Sequence, residues 1–324
     1  MANPEVLDRI LTLEIARVTE AAAMAAAKLV GRGDEHAADQ AAVDAMRGFL
    51  NTLEVRGRIV IGEGERDEAP MLFIGEEVGT GHGPEVDIAL DPLEGTTMCA
   101  KAMSNVLAVI AISQRGGLLH APDTYMDKIA IGGGYPQGII DLDADPADNV
   151  RALAKAKGVP PEEITVCVLD RPRHAKIIAR LREIGARIVL ISDGDVAGVI
   201  HTTDPSTGID MYLGQGGAPE GVLAAAALRC IGGQIQTRLV FRNDDERGRA
   251  AKIGITDFNR RYSLDDMVKS DVIFAATGVT DGSMLEGVHI RGDHVSTHTV
   301  VMRSSTGTVR WIKAQHRRGG RIAL

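Results

Sequence analysis

From residue 164 onward the chain alternates strand-like and helix-like segments. An apolar run over 164–169 is followed by a helical pattern over 174–184, closed by Gly185, and then by a second apolar run over 187–191. This strand-helix-strand order implies parallel strands joined by crossovers, which restricts the fold to the α/β class and puts ligands at the carboxyl ends of the strands. Further units of this rhythm are expected at 209–213 with a helix over 220–230, at 235–241 and at 271–276.

The N-terminal part follows another pattern. Asn3-Pro4 supplies an N-cap and a first-turn proline, and Leu7, Ile10, Leu11, Ile15 and Val18 recur at helical spacing, predicting one helix to about Val30. Gly31-Arg32-Gly33-Asp34 breaks it, and an alanine-rich helix over 35–50, capped by Asp34, carries Asp39. Short β-rich runs follow at 58–61, 86–90 and 106–113, the last turning at Arg115-Gly116-Gly117 like a hairpin. The stretch 141–161, rich in Asp, Ala and Lys and holding Pro146 and Pro160-Pro161, is the expected boundary between domains 1–160 and 161–324. Residues 300–315 read as a terminal hairpin turning at 304–307, and there is no internal repeat.

Composition narrows the function. A length of 324 residues suits two domains, and aromatic residues at 3% leave few platforms for stacking single-stranded bases. The formal charge of -8 opposes a nucleic-acid partner, and the Arg317-Arg318 run reads as a solvated terminus. An acidic balance suits a protein that gathers carboxylates around divalent cations. Cys99, Cys167 and Cys230 lie far apart with no zinc spacing, as expected of buried thiols in a reducing compartment. The N-terminus lacks the pattern of a signal peptide, and the apolar run 106–112 is far shorter than a membrane span. A cytoplasmic protein with no nucleic-acid or membrane partner is expected.

Candidate chemistry lies where strands end. The strand over 86–90 enters Asp91-Pro92-Leu93-Glu94-Gly95-Thr96, where proline is expected to stop the ladder and turn Asp91 and Glu94 outward. Two carboxylates at this spacing either hold a hard cation such as Mg²⁺ or Mn²⁺ or belong to a surface turn closed by an Asx hydrogen bond. Gly62-Glu63-Gly64-Glu65-Arg66-Asp67-Glu68 is a second acidic loop, open to the same two readings. Gly214-Gln215-Gly216-Gly217-Ala218-Pro219-Glu220 lies between a strand and a helix. It is either a phosphate cradle or a tight connection, and it lacks the signatures of a nucleotide site. Arg171-Pro172-Arg173 presents a guanidinium pair suited to phosphate, or an arginine bound to Asp170. Asp193 and Asp195 suit sugar hydroxyls or the cap of the helix that follows.

The sequence resembles the class II, GlpX-type fructose-1,6-bisphosphatases of the lithium-sensitive phosphatase superfamily over nearly its whole length. Asp91-Pro92-Leu93-Glu94-Gly95-Thr96 matches the superfamily's D-P-[IL]-[DE]-G-[ST] metal motif. The class rests on the segments 61–65, 121–126 (Ala-Pro-Asp-Thr-Tyr-Met), 171–174, 193–196 and 216–221 in this order. The resemblance implies a layered α-β-α-β-α sandwich of two α/β halves with the active site between them. It also implies Mg²⁺ or Mn²⁺ ligands at Asp39, Glu63, Asp91, Glu94 and Glu220. Thr96 and Asp67 would position and activate the attacking water. Tyr125, Arg171 and Arg173 would hold phosphate; Asp193, Asp195 and Gly217 would contact the sugar, and Glu94 and Thr96 also border the substrate. The implied reaction removes the 1-phosphate of D-fructose 1,6-bisphosphate in gluconeogenesis. Sedoheptulose 1,7-bisphosphate, use of both bisphosphates, another phosphomonoester, or a binding-only regulatory role are the alternatives. A homo-oligomer, dimer or tetramer, is expected by the same resemblance. One departure is Glu35, where many relatives carry a lysine, so no substrate contact by that lysine is carried over.

Overall fold

Asp34 does what its position predicts: its carboxylate accepts from Ala37 N at 2.9 Å and starts the helix Glu35–Leu50. The computed structural model describes residues 7, 9–64 and 71–317. The preceding helix, α1 (Arg9–Ala27), packs on this second one, α2. It ends short of Val30 because Gly31 N and Gly33 N donate to the carbonyls of Cys99 and Ala100, which pins the connecting turn elsewhere. The start expected at Asn3-Pro4 lies outside the described residues.

The chain continues as β1 (Arg56–Ile61), β2 (Glu77–Val78), β3 (Glu85–Glu94), a short α3 (Thr96–Ala100) and β4 (Leu107–Gln114). It then leaves this unit at His120 and returns at Val268. The intervening unit, Ala121–Met267, holds β5 (Tyr125–Gly132), α4 (Pro146–Lys157), β6 (Thr165–Leu169), α5 (Ala175–Glu183), β7 (Arg187–Ile191), α6 (Asp195–Ile200), β8 (Met211–Gly217), α7 (Ala218–Ile231), β9 (Gly233–Val240), α8 (Asp244–Lys252), β10 (Arg261–Ser263) and α9 (Leu264–Met267). The first unit is completed by β11 (Val272–Gly278), β12 (His289–Arg291), β13 (His294–Arg303) and β14 (Thr308–Arg317).

The boundary expected near residue 160 falls inside the second unit, between α4 and β6. Pairing across long sequence separation sets the observed division. β11 runs antiparallel to β4 along its whole length, from Val272 opposite Ser113 to Gly278 opposite Leu107, so β11 to β14 belong to the first sheet. No local composition signal announces such pairing.

The first unit is a sheet ordered β12-β13-β11-β4-β3-β1-β2 with β14 on β13, and among the described residues only β1 and β3 pair in parallel. The period-2 alternation of the strands turns Ile88, Ile110, Ile112, Ile273 and Val301 toward one core, which α1 and α2 cover with Ile15, Ala22, Met46 and Leu50. The terminal hairpin forms as expected: β13 and β14 pair from Arg303 opposite Thr308 outward. The hairpin expected after β4 does not form. Gly117 N closes a turn on Gln114 O at 2.8 Å, but β4 lies between β3 and β11 and the chain passes on to the other unit.

The second unit's sheet is ordered β10-β9-β5-β8-β6-β7. The parallel reading holds for β6 with β7 and for β6 with β8. Beyond that it is corrected: β8 and β9 each pair antiparallel with β5, which lies between them. Ile129, Ile131, Val166, Val168 and Met211 form a core with Val150 and Leu153 of α4 and Leu181 of α5. Helix α7 is buried around nearly its whole circumference, which fits its run of alanines and uniformly apolar character. All three cysteines are buried free thiols, and no described helix is long and apolar enough to cross a membrane.

Candidate active site

Asp91 and Glu94 are carried by a strand that does not stop. β3 continues through Pro92 to Glu94, and the ladder with β4 slips between Asp91, opposite Val109, and Glu94, opposite Leu107. The expected break is thus a bulge, where a proline without an N–H is tolerated and side chains are re-aimed. Asp91 Oδ1 accepts from Leu93 N at 3.0 Å, so the Asx bond is present within this motif. Glu94 is buried, at 3% exposure, whereas Asp91 is half-buried. Gly95 follows with φ of 93°, a left-handed conformation that favours glycine, and Thr96 is the first residue of α3.

Two more of the first unit's acids sit on neighbouring elements. Asp39 lies on α2, which packs against β3 and α3, and burial raises its carboxyl above the ordinary range while His36 pulls the other way. Glu63 stands just past β1, its N–H donating to Leu72 O at 3.0 Å. Asp67 lies outside the described residues. Among the described residues, no three His, Cys, Asp or Glu side chains form a complete cation site.

The second unit gathers its residues at one sheet edge. β6, β8 and β9 end there, β7 ends beside β6, and antiparallel β5 begins there, with Tyr125 opposite both Gly217 and Val240. A cavity of about 340 Å³ opens at this edge, within the usual range of small-molecule sites. Its lining includes Tyr125, Arg171, Arg173, Asp193, Asp195, Gly217 and Glu220, so the sequence-predicted residues of this unit do come together.

Several of these side chains are held by specific partners. Arg173 donates through Nε and Nη2 to Gln215 O at 3.1 and 2.8 Å, and its guanidinium carbon lies 4.9 Å from the centre of the Tyr125 ring. His174 locks that arrangement from behind: Gln215 N donates to Nε2 at 2.8 Å, while Nδ1, 2.7 Å from Leu169 O, carries the proton. Burial and the Arg173 charge lower the His174 pKa, in keeping with a neutral ring. Arg171 reaches the carbonyl of Asp170, not its carboxylate, at 3.4 Å. Neither Asp193 nor Asp195 caps α6 through its side chain, since the cap is Gly194.

Asp195 is instead buried, bound by Lys128 Nζ at 2.5 Å and by Tyr212 OH at 3.3 Å. Two glycines make room for the carboxylates: a Cβ on Gly216 would overlap Asp195 Oδ2, and one on Gly217 would overlap Glu220 Oε2. This close approach, not a nucleotide loop, explains the paired glycines of 214–220. Glu220 Oε2 is closed off from solvent with no hydrogen-bond partner, and burial together with the Asp195 charge pushes the carboxyl pKa up to about 7. A buried carboxylate oxygen with no protein partner fits a hard cation. Desolvation likewise raises Asp193 above the ordinary range.

Sequence reasoning missed Lys128, Tyr212, Arg242, Thr124 and Glu246, all of which line or brace this cavity. Lys128 carried a readable signal: it occupies an inward position of β5 between Met126 and Ala130, both fully buried, where a cation requires a partner.

An α/β protein with arginines and acids around one cavity at the carboxyl ends of its strands belongs to the class that binds phosphorylated small molecules. The comparisons narrow this class. The family model described as bacterial fructose-1,6-bisphosphatase, glpX-encoded, matches residues 9–316, and the chain belongs to this family. It is 47% identical over 322 residues to fructose-1,6-bisphosphatase 1 class 2 of Escherichia coli K12, covering 95% of each chain. The class 2 fructose-1,6-bisphosphatases of Escherichia coli O6:H1 and Shigella flexneri match to the same extent.

Proposed function

We propose that this chain hydrolyses the 1-phosphate of D-fructose 1,6-bisphosphate to fructose 6-phosphate and inorganic phosphate, a step of gluconeogenesis. The observation that carries the reading is family membership over 9–316 together with the arginine-bearing cavity of the second unit. In the reaction a water oxygen bonds to phosphorus, the bond from phosphorus to the C1 oxygen breaks, and that oxygen leaves with a proton. Arg171, Arg173 and Tyr125 hold the phosphate that is not cleaved, which fixes the sugar while leaving the reacting ester to other residues. Asp193, Asp195 and Gly217 contact the sugar. Thr96, with Asp67, orients the attacking water for in-line approach.

Asp39, Glu63, Asp91, Glu94 and Glu220 are the carboxylates that would hold Mg²⁺ or Mn²⁺. Such a cation, when bound, offsets phosphoryl charge and makes a nearby water more acidic. Without it these acids repel the substrate, so the reading requires activity to depend on added cation. The setting is the cytoplasm, and the working form is a homo-oligomer.

The test is phosphate release from fructose 1,6-bisphosphate by the purified chain with Mg²⁺ or Mn²⁺, and with EDTA as control. Cation-dependent release is expected. Release from sedoheptulose 1,7-bisphosphate alone would move the substrate assignment, and no release from any sugar phosphate by folded protein would overturn the enzymatic reading.

A further inference from the structure

Tyr125 carries a second guanidinium besides that of Arg173. Arg242 places its guanidinium carbon 4.9 Å from the centre of the same ring, and all three residues line the one cavity. It comes from the sheet edge already described, two residues past the end of β9, where Val240 pairs with Tyr125. Bringing cations to a shared ring is unfavourable unless anions hold them there. Arg173 is fixed by a backbone carbonyl, whereas Arg242 is fixed by a buried acid.

That acid is Glu246, 1% exposed in the first turn of α8. Its Oε1 accepts from Arg242 Nε at 2.6 Å and pairs with Nη2 at 2.5 Å. Its Oε2 accepts from Arg242 N at 2.7 Å and from Thr124 Oγ1 at 2.9 Å. The turn is further held by Asn243, whose side chain accepts from Glu246 N at 2.9 Å. Burial works to raise the Glu246 carboxyl pKa, but these donors bring it below the ordinary range, so the acid stays charged. Nε and one N–H of Nη2 point to a single carboxylate oxygen, which leaves Nη1 and the second N–H of Nη2 as the donors for a ligand, and the side chain is 57% exposed.

We propose that Arg242 is a third phosphate-binding cation of this cavity and that Glu246 is the residue that positions it. The proposal rests on the sugar-bisphosphate reading above and extends it. Arg242 binds the uncleaved phosphate beside Arg171 and Arg173, with Tyr125 as the shared platform. A surface ion pair of the same geometry would contribute to stability alone, so the two roles separate in kinetics.

The experiment measures kcat and KM for fructose 1,6-bisphosphate, calorimetric binding of inorganic phosphate, and Tm, in wild type, Arg242→Ala, Arg242→Lys and Glu246→Gln. Arg242→Ala is expected to raise KM about tenfold and to weaken phosphate binding similarly, as loss of one charged hydrogen bond implies. Its kcat should fall by less than about threefold, because the interaction is made equally in ground and transition states. Arg242→Lys should recover part of the loss, and Glu246→Gln should raise KM by about threefold through a loosened guanidinium. Unchanged KM and phosphate affinity in Arg242→Ala, or a loss confined to kcat or Tm, overturns the proposal. If Arg242→Ala does not fold, the other two variants carry the same test. If wild type releases no phosphate, the functional reading fails by itself, and equal phosphate affinity in wild type and variants then overturns the role of Arg242 separately.

Discussion

The candidate site residues of the two units are carried by different structural devices. In the first, a bulge around Pro92 and the left-handed Gly95 shape the backbone that carries Asp91, Glu94 and Thr96 at the end of a strand whose core face is wholly apolar. In the second, side chains hold one another, through Lys128 with Asp195 and Tyr212, Arg242 with Glu246 and Thr124, and Arg173 with Gln215 and His174. The expectation is that the acid at the bulge matters more to turnover than to folding, whereas a buried ionic network is part of the fold it serves.

Opposite substitution profiles in the two units would sharpen this contrast. Asp91→Ala should lower turnover about a thousandfold, near 4 kcal/mol of transition-state stabilisation, while thermal unfolding shows only a small Tm change. A matching collapse of Tm would break the comparison, as would near-normal turnover. Lys128→Met should show the reverse emphasis. It leaves Asp195 buried without its cation, so denaturant unfolding should register a loss of about 3 kcal/mol, and unaltered stability would mean that the network is dispensable.

Smaller effects refine the picture within each unit. Thr96→Val, nearly isosteric at the start of α3, should cut kcat about tenfold, near 1.4 kcal/mol, with KM little changed. Steady-state kinetics showing a KM effect instead would assign Thr96 to substrate binding. The smallest effect is the titration of His174. Its folded pKa lies below the ordinary 6.5 because burial and Arg173 disfavour the imidazolium. As pH falls below that ordinary value the unfolded chain therefore takes up more protons, and stability declines until the pH has passed the folded value. Urea midpoints measured from about pH 7.5 to about pH 5 should drop less in His174→Asn than in wild type; parallel slopes would remove His174 from the network.

Much of the local structure was legible. Asp34 after a glycine break announced α2, the strand-helix-strand rhythm after residue 164 announced β6, α5 and β7, and the turn at 304–307 announced the β13–β14 hairpin. Each is a near-neighbour effect, settled by caps, turns and periodicity. Pro92 misled because proline is read as a strand terminator, yet a bulge leaves its missing N–H without consequence. Arg242 and Glu246 gave no warning, since an arginine four residues before a glutamate is ordinary on any exposed helix start.

The sequence by itself determined the locally coded elements, α2, β6, α5, β7 and the β13–β14 hairpin, which family the chain resembles and which residue types crowd the strand ends. Tertiary structure alone decided that β11 to β14 return to the first sheet, that β5 enters between β8 and β9, and that Lys128 neutralises Asp195 beneath the cavity. The physical reason is range: backbone propensity acts over a few residues, whereas strand pairing and buried charge depend on partners up to hundreds of residues away, which meet only when the chain is packed.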